Sequence, residues 1–371
     1  MSITKIVITG GPCAGKTTGL NWIQNAFTAR GYTVLIVPET ATELISGGVA
    51  PWTCGTNLDY QKSQMQLQLV KEQVFMRAAE SMPNERILLI CDRGAMDNRA
   101  YMDQEEWNKT LEAVGANEVE LRDNYDAVFH LVTAARGAEV FYTTANNTAR
   151  TETPEQAVQL DNKLIAAWTG HPHLSVIDNT VEFDQKMHRL IGEIASFLGE
   201  PQPYQSERKF LIEYPDIASL EKMDNCCRIE IIQTYLRGGN EGEGRHIRQR
   251  GIDGHYTYYL TVKRPVSGSK RIEIERRLTQ REYLMLLMDA DPAMHPIRKD
   301  RYCLADGGQY FEIDVYPMWN DRAIMKIKLS EEMEEIRLPK GIKVIREVTG
   351  ENEYRNSYIA RMGREKQKRH T

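Results

Sequence analysis

Gly10-Gly-Pro-Cys-Ala-Gly-Lys-Thr17 is the stretch that decides how the first half of this 371-residue chain folds. Its spacing is G-x-x-x-x-G-K-[ST], and it follows the apolar segment Lys5–Thr9 and opens the helical pattern Thr17–Arg30. A glycine-rich turn between a strand and a helix lets backbone N–H groups point at phosphate oxygens. The residues expected to cradle a nucleoside triphosphate are Gly10, Gly11, Cys13, Ala14, Gly15, Lys16, Thr17 and Thr18.

Two side chains in this loop carry separate expectations. Lys16 is expected to reach the β- and γ-phosphates of ATP or GTP as a point charge, and Thr17 to ligate Mg²⁺ or Mn²⁺ through its hydroxyl. The alternative is a chance glycine turn, which the flanking strand and helix disfavour.

The rhythm around this loop alternates between strands and helices. Further strands are predicted at Thr33–Val37, Ile87–Cys91, Ala127–Val132 and Leu174–Ile177, and further helices at Asp59–Ser81 and Phe183–Leu198. Such alternation is typical of βαβ units, so residues 1–200 are expected to form an α/β domain with a mostly parallel sheet. The prolines and glycine of residues 199–203 cannot continue a helix, which predicts a linker at 201–205.

The charge distribution, the apolar runs and the cysteines indicate what kind of protein this is and where it is located. Residues 1–202 carry 16 basic and 25 acidic side chains, whereas residues 203–371 carry 31 and 27, so the basic excess lies in the second half. No apolar run is long enough to cross a membrane, and the first residues lack the pattern of a signal peptide. The six scattered cysteines suit reduced thiols, so a cytoplasmic protein without membrane contact is expected.

Four charged residues in the first half favour a small-molecule kinase over a motor ATPase. Glu39 follows the second strand and is expected to act as a base toward an acceptor hydroxyl. Asp92 and Arg93 stand at the end of the third strand. Asp92 is expected to hold Mg²⁺, and Arg93 is expected to hold a phosphate or to orient the acceptor. Arg150 lies where a lid would supply an arginine to the transferring phosphoryl group. The alternative for each is an ordinary loop charge.

These segments resemble the P-loop nucleoside and nucleotide kinases, close to thymidylate kinase and nicotinamide-riboside kinase. The residues that carry the resemblance are GGPCAGKT, VPETATELI, CDRGAMDNRAY and the segment around Arg150. The resemblance implies phosphoryl transfer or NTP hydrolysis, but a fold does not fix the acceptor.

The second half switches to period-two strands in which charges recur at i and i+2. Eight strands are predicted, with one helix at Thr279–Met288 and a frayed basic tail at Arg361–Thr371. Side chains at i and i+2 share one face of a strand, so the charges line either the outside or the inside of a barrel. A charged inside requires ligands or metals to neutralise it.

Residues 206–360 resemble the triphosphate tunnel metalloenzymes, the CYTH family, through ERKFLI, HIRQRG, YYLTVKR, RIEIERRLT, RKDRY, YFEIDVY and VTGENEYRNSYIA. The resemblance implies an α+β fold with an eight-stranded antiparallel tunnel that binds a linear triphosphate. The phosphate ligands that it implies are Lys209, Arg248, Arg250, Lys263, Arg271 and Arg301. The metal ligands that it implies are Glu207, Glu273, Glu275 and Asp314.

Two positions depart from the pattern of that family. Gln205 stands where the family has the first glutamate, and Lys326-Ile-Lys328 replaces a Glu-x-Glu. Mg²⁺ needs carboxylates, so this wall is expected to bind phosphate through Lys326 and Lys328 rather than a second metal.

The resulting hypothesis is a two-domain phosphotransfer enzyme: an ATP- or GTP-dependent kinase or NTPase joined to a domain that binds or hydrolyses triphosphate. One alternative is an NTP-driven switch whose tunnel is a non-catalytic polyphosphate sensor. Another is RNA 5′-end processing, which is not favoured because no aromatic stacking motif accompanies the basic residues.

Overall fold

The computed structural model describes residues 2–139, 142, 153–199, 206–238, 244–267, 270–329 and 336–368. Its backbone divides into two compact units, Met1–Ile194 and Ala195–Thr371. Within the described ranges, no helix combines the length and the apolar character needed to cross a bilayer.

The first unit is built on a five-stranded sheet in the order β2-β3-β1-β4-β5, and every pairing in it is parallel. Its strands are β1 (Ser2–Gly10), β2 (Thr33–Val37), β3 (Arg86–Asp92), β4 (Ala127–Leu131) and β5 (Leu174–Ile177). The near-continuous apolar runs of β1, β3 and β4 are buried, as helices packed on both faces of a parallel sheet require. The predicted parallel α/β fold is therefore confirmed.

The connecting helices of this unit begin and end at recognisable signals. They are α1 (Lys16–Thr28), α2 (Thr40–Ser46), α3 (Asn57–Glu80), α4 (Gln104–Val114), α5 (Glu118–Arg122), α6 (Pro154–Trp168) and α7 (Phe183–Phe197), with a 3₁₀ segment at Ala95–Tyr101. Helix α6 has Pro154 in its first turn and a capping box formed by Thr153 and Gln156. The predicted helices α1, α3 and α7 all occur, with ends displaced by two residues or fewer.

The second unit contains one antiparallel sheet of nine strands in the order β10-β9-β8-β7-β11-β12-β13-β6-β14. The strands are β6 (Ser206–Glu213), β7 (Cys226–Tyr235), β8 (Gly244–Ile252), β9 (His255–Ser267), β10 (Lys270–Leu278), β11 (Ile297–Asp306), β12 (Gln309–Val315), β13 (Arg322–Leu329) and β14 (Val344–Glu347). All eight predicted strands are present, and the sheet contains one further strand, β14, that was not predicted. The additional strand β14 has four residues and pairs with β6 through a register shift, so it has no readable alternation.

Three helices accompany this sheet: α8 (Ile217–Leu220), α9 (Gln280–Leu287) and α10 (Asn356–Lys368). Helix α9 matches the helix predicted at Thr279–Met288, and Thr279 caps it. Helix α10 extends through Lys368, into the basic tail predicted at Arg361–Thr371. Ile359 and Ala360 anchor that helix in an apolar cluster with Ile297, Tyr316 and Ile324.

Strand register places the alternating charges on one face of the nine-stranded sheet. Asp314 lies opposite Arg301, Glu312 opposite Lys326, and Lys326 opposite Lys209, and opposed residues of neighbouring strands share a face. We call it the charged face; its described charged residues include Glu207, Lys209, Arg248, Arg250, Lys263, Glu275, Lys299, Arg301, Glu312, Asp314, Lys326 and Lys328.

Burial shows which way this face points. Arg250 and Lys299 are each 4% exposed, and Asp314 is 0% exposed. The charges around Asp314 therefore line an interior, whereas Glu207 and Lys328 on the same face are exposed. The apolar residues of the opposite face, such as Phe311 and Met325, form a separate core.

Candidate functional site

The turn between β1 and α1 has a backbone that only these small residues allow. Gly10 has φ +148°, and a Cβ there would lie 2.1 Å from the carbonyl oxygen of Leu131; Gly15 has φ +88° at the start of α1. Ala14 is buried beneath the turn, whereas Thr17 and Thr18 are exposed in the first turn of the helix. The amino end of α1 is thus open to an anion, as the sequence predicts.

Lys16 lies over this turn and is held by its own loop. Its Nζ donates to the carbonyl oxygen of Gly10 at 3.3 Å. Burial and the nearby charge of Arg93 lower its pKa to about 8, although Glu39 and Asp92 act in the opposite direction. A triphosphate would supply the negative charge that this buried ammonium lacks.

A buried carboxylate holds the underside of the loop. Asp161 on α6 accepts from the backbone N–H of Gly11 at 2.9 Å and from that of Thr133 at 3.2 Å, and His130 Nε2 lies 2.9 Å from the same Oδ1. Sequence reasoning missed Asp161 because it stands 150 residues from Gly11 in a helix without a motif.

A lysine supports the other end of the loop. Lys186 Nζ donates to the carbonyl oxygens of Ala14 at 3.2 Å and Val132 at 2.8 Å, and to Asn179 Oδ1 at 2.6 Å. Burial lowers the pKa of Lys186 to about 8. The phosphate loop is therefore fixed from below by side chains of α6 and α7, independently of any ligand.

The carboxyl end of β3 brings Asp92 beside the loop, because Asp92 is in register with Ile8 of β1. Asp92 Oδ1 is buried and accepts no hydrogen bond within the described structure, and burial raises the pKa of this carboxyl group. An unsatisfied carboxylate oxygen whose charge acts on Lys16 fits the hard-oxygen preference of Mg²⁺.

Glu39 and Arg93 form an ion pair between the ends of β2 and β3. Arg93 has φ +68°, and its Nε donates to Glu39 Oε1 at 2.5 Å, while Thr42 donates to Glu39 Oε2 at 2.6 Å. Burial would raise the pKa of Glu39, but Arg93 and Lys16 lower it to about 2. The carboxylate is therefore ionised and held in place.

Asp97 is a further acid on this side of the site. Both of its carboxylate oxygens lie 2.8 Å from the hydroxyl of Thr9, Trp168 Nε1 donates to it at 2.6 Å, and Arg93 Nη1 lies 3.6 Å away. Its segment, CDRGAMDNRAY, carried the resemblance, but its contacts with β1 and α6 were not readable from sequence. Arg150 lies outside the described residues.

The charged face of the second unit centres on Asp314. Lys299 Nζ lies 2.6 Å from Oδ2, Lys326 Nζ lies 3.3 Å from the same atom, and Arg301 makes two bonds of 2.7 and 2.9 Å to the carboxylate. These cations hold the pKa of Asp314 well below its usual value in spite of burial. Burial, with Arg301 and Lys326 nearby, lowers the pKa of Lys299 to about 7.

The other described acids of the charged face are also paired. Glu312 lies 2.6 Å from Arg301, Glu207 lies 3.0 Å from Lys209, and Glu275 is paired with Arg248 and accepts from Thr261 at 2.9 Å. Arg250, Lys263 and Lys328 share this face. The side chains of Arg271 and Glu273 lie outside the described residues. Lys299 and Glu312 also belong to this charged face. Both lie in the period-two strands, but neither was predicted to be a phosphate or metal ligand.

This arrangement does not fit the metal site implied by the family resemblance. The described residues contain no group of three His, Cys, Asp or Glu side chains that could hold a metal ion. Asp314, expected to be a metal ligand, is instead surrounded by three cations, and Glu207 and Glu275 each have a basic partner.

Comparison with known proteins agrees with a nucleotide-binding first unit. Residues 5–186 match the family model of an AAA domain. No curated protein gives a significant match to the chain.

Solved structures similar to this chain include the inorganic triphosphatase NE1496, with a TM-score of 0.30 and 22% identity over 43% of this chain and 96% of that one. They also include the PH1819 protein from Pyrococcus horikoshii OT3, with a TM-score of 0.27 and 20% identity over 35% of this chain and 80% of that one.

Proposed function

We propose that the first unit transfers a phosphoryl group from ATP or GTP to a small acceptor. The observation that carries the proposal is the Glu39–Arg93 ion pair, which stands at the carboxyl ends of β2 and β3 beside Lys16. Ligands of open parallel sheets bind at that edge. On the acceptor side of the phosphate loop, this carboxylate can accept the proton of an incoming hydroxyl group.

The residues divide the work in this proposal. The backbone of residues 10–18 cradles the phosphates, Lys16 neutralises the β- and γ-phosphates, and Arg93 orients Glu39, which accepts the proton of the acceptor hydroxyl. Thr17 and Asp92 would hold Mg²⁺, which supplies charge neutralisation for the transferring group. Arg150 stays the proposed source of a lid arginine.

For the second unit we propose binding of a linear triphosphate on the charged face. The supporting observation is that eight named basic residues stand against four acidic ones: Lys209, Arg248, Arg250, Lys263, Lys299, Arg301, Lys326 and Lys328 against Glu207, Glu275, Glu312 and Asp314. An excess of cations on a partly buried face favours a polyanion. Because the acids are already paired, binding is better supported than metal-dependent hydrolysis.

The proposal includes two domains, residues 1–200 and 206–360, that have separate functions and are joined by a linker at residues 201–205. Its competitors are an NTP-driven switch with a polyphosphate sensor and an RNA 5′-end processing enzyme.

The test is a substrate panel of ATP, GTP, tripolyphosphate and pyrophosphate, each with Mg²⁺, with Mn²⁺ and with chelator, on the full chain, with and without small acceptors that carry a hydroxyl group. The proposal expects metal-dependent use of ATP or GTP together with tight tripolyphosphate binding. Slow NTP turnover that no acceptor accelerates would favour the switch, and salt-dependent RNA binding with release of the 5′ phosphate would favour RNA processing.

A further inference from the structure

Arg93 stands at a turn whose backbone is unusual for an arginine. Its φ of +68° lies in the left-handed region that residues other than glycine rarely adopt. Its backbone N–H donates to the carbonyl oxygen of Ile8 at 3.0 Å, and its own carbonyl oxygen accepts from Gln68 Nε2 at 3.2 Å. A strained conformation of this kind persists only where the surrounding contacts hold it.

The direction of the Arg93 side chain matters because one of its donors is unsatisfied. Nη1 is buried and makes no hydrogen bond within the described structure, although it lies 3.6 Å from Asp97. Nε donates to Glu39 Oε1 at 2.5 Å. The guanidinium group therefore holds the carboxylate and keeps one donor for a ligand, and a small displacement of Arg93 would change both.

Gln68 of α3 uses its whole side-chain amide in this region. Oε1 accepts from the hydroxyl of Thr40 at 2.6 Å, and Nε2 donates to Glu72 Oε1 at 2.8 Å as well as to the carbonyl oxygen of Arg93. Because a carboxylate and a carbonyl oxygen accept hydrogen bonds, the nitrogen has to face them and the oxygen has to face Thr40. Only one orientation of the amide satisfies all three partners.

Thr40 connects this amide to the other half of the ion pair. Thr40 is the first residue of α2, directly after Glu39, and its side chain is buried. Gln68 thus contacts the chain next to Glu39 and the chain at Arg93 at the same time. One side chain of α3 joins the carboxyl ends of β2 and β3 from the core.

Glu72 in turn fixes Gln68 from one helical turn further along α3. Lys5 Nζ lies 3.2 Å from Glu72 Oε2, and the hydroxyl of Tyr125 donates to Oε1 at 2.7 Å. That hydroxyl accepts from the backbone N–H of Ala95 at 2.8 Å. A buried network whose members are paired in this way is rigid, and it supports the turn that contains Arg93 on both sides.

From these contacts we propose that Gln68 is a positioning residue for the Glu39–Arg93 pair, which it holds from the core through Thr40 and through the backbone of Arg93. The inference rests on the proposed function, in which this pair faces the acceptor, and it adds the residue of α3 that sets the geometry of the pair.

The first test replaces the amide by a side chain of similar length without its hydrogen bonds. Gln68→Met should lower kcat by roughly 10–100-fold, since a catalytic group displaced by about 1 Å has an effect of that order. The KM for ATP should stay unchanged, because Asp161 and Lys186 hold the phosphate loop independently of Gln68. The matched control is Gln73→Met on the exposed side of the same helix.

The probes are the common nucleosides and their 5′-monophosphates, offered with ATP and Mg²⁺ to the full-length protein. An unchanged kcat in a folded Gln68→Met variant would overturn the proposal. In the Arg93→Ala background, Gln68→Met should have little further effect, because the residue through which it acts is gone. An equal loss in that background would show that Gln68 acts elsewhere and would also overturn it.

A measurement without any acceptor separates this inference from the proposed function. Burial would raise the pKa of Glu39, but Arg93 and Lys16 lower it to about 2. Gln68→Met should loosen the contact with Arg93, so the carboxyl group should titrate at a pH where it stays ionised in the wild type. NMR of the side-chain carboxyl carbon, assigned with Glu39→Gln, measures this.

The two measurements together distinguish the failures. If the wild type phosphorylates no probe but the pKa of Glu39 rises in Gln68→Met, the kinase function fails and the positioning role stands. An unchanged pKa in the folded variant overturns the positioning role alone.

A second site of substitution keeps the inference testable if Gln68→Met does not fold. Thr40→Val removes the hydroxyl that donates to Gln68 and nearly keeps the shape, so kcat should fall and the pKa of Glu39 should rise as in Gln68→Met. Thr40→Ser retains the hydroxyl and should restore both to the wild-type values. Equal behaviour of the two Thr40 variants would contradict the proposal.

Discussion

In the proposed function both units bind phosphate groups, but the charges of the two sites are balanced in opposite ways. In the first unit the site leaves groups unsatisfied: Asp92 Oδ1 has no hydrogen-bond partner among the described residues, and the amino end of α1 is open. In the second unit the described acids of the charged face each have a basic partner, and Asp314 has three.

The difference teaches how each site would respond to a ligand. The first is preorganised, with a backbone cradle and a vacant carboxylate oxygen, so in the proposed function a nucleotide and a metal would complete it. In the second site, a ligand has to replace ion pairs that the basic residues already make with acids of the protein. The free energy of binding is therefore the difference between the ion pairs gained with the ligand and those lost within the protein. A single substitution should therefore strongly reduce activity at the first site. At the second site, ligand affinity should depend mainly on the total charge of the lining residues.

The strongest test of this contrast removes the loop lysine. Lys16→Ala should reduce NTP turnover to background, a loss of roughly 10²–10³-fold or more, because no other described group replaces its ammonium at the loop. Tripolyphosphate binding should persist unchanged. Steady-state assays and calorimetry measure the two, with Lys109→Ala, an exposed lysine of α4, as the control. Loss of both activities in a folded variant would show that the two sites are not separate.

The next effect belongs to the acceptor pair. Arg93→Ala should free Glu39 and remove the cause that most lowers its pKa, so the carboxylate becomes more basic but less ordered. We expect turnover to fall by roughly 10²-fold and an acidic limb to enter the pH–rate profile between pH 4 and 5, near the ordinary value for glutamate. Arg99→Ala, a partly exposed arginine paired with Glu118, is the control. An unchanged profile would mean that Arg93 does not set the state of Glu39.

A smaller effect is expected on the charged face when two of its positive charges are reversed. Lys326→Glu with Lys328→Glu should weaken tripolyphosphate binding in the presence of chelator by about 10–100-fold, since each charged contact contributes about 1.5–3 kcal/mol before compensation. The same variant should bind better when Mg²⁺ is added. Calorimetry compares it with Lys343→Glu, which carries the same change on an exposed lysine. If wild type binds nothing without metal, or holds two metals when loaded, the two lysines do not play this role.

The smallest effect is a pH dependence of ATP binding at the first site. With its pKa lowered to about 8, Lys16 loses its proton progressively above pH 8 in the free protein, whereas triphosphate binding needs the ammonium. ATP binding should therefore take up a proton above pH 8 and not below pH 7, and Kd should rise by up to about tenfold per pH unit. Calorimetry in buffers of different ionisation enthalpy measures the uptake. Lys16→Arg, which stays charged, should bind without uptake, and uptake in that variant would assign the effect elsewhere.

Sequence reasoning anticipated what local patterns encode. The phosphate loop, the parallel order of the first sheet and the shared face of the second sheet follow from motif spacing and strand periodicity. The contacts of Asp161, Asp97 and Lys186 could not be predicted, because each joins segments that are distant in the chain. Likewise, the i, i+2 pattern predicted a shared face for the charges within each strand, but the pairing of β12 with both β11 and β13 is what brings Lys299, Arg301 and Lys326 to Asp314.

The contact between Gly11 and Asp161 also restricts which parts of this chain can be exchanged with another P-loop protein. The loop begins at β1, whereas its carboxylate comes from α6, after the segment that contains Arg150, so a chimera that exchanges residues 143–170 would separate the two. A side chain at position 11 would meet the carboxylate, since a Cβ there would lie 2.6 Å from Asp161 Oδ1. Residues 11 and 161 therefore have to be compatible with each other, and a chimera that pairs Gly11 with a residue other than Asp at position 161 should lose this support of the loop.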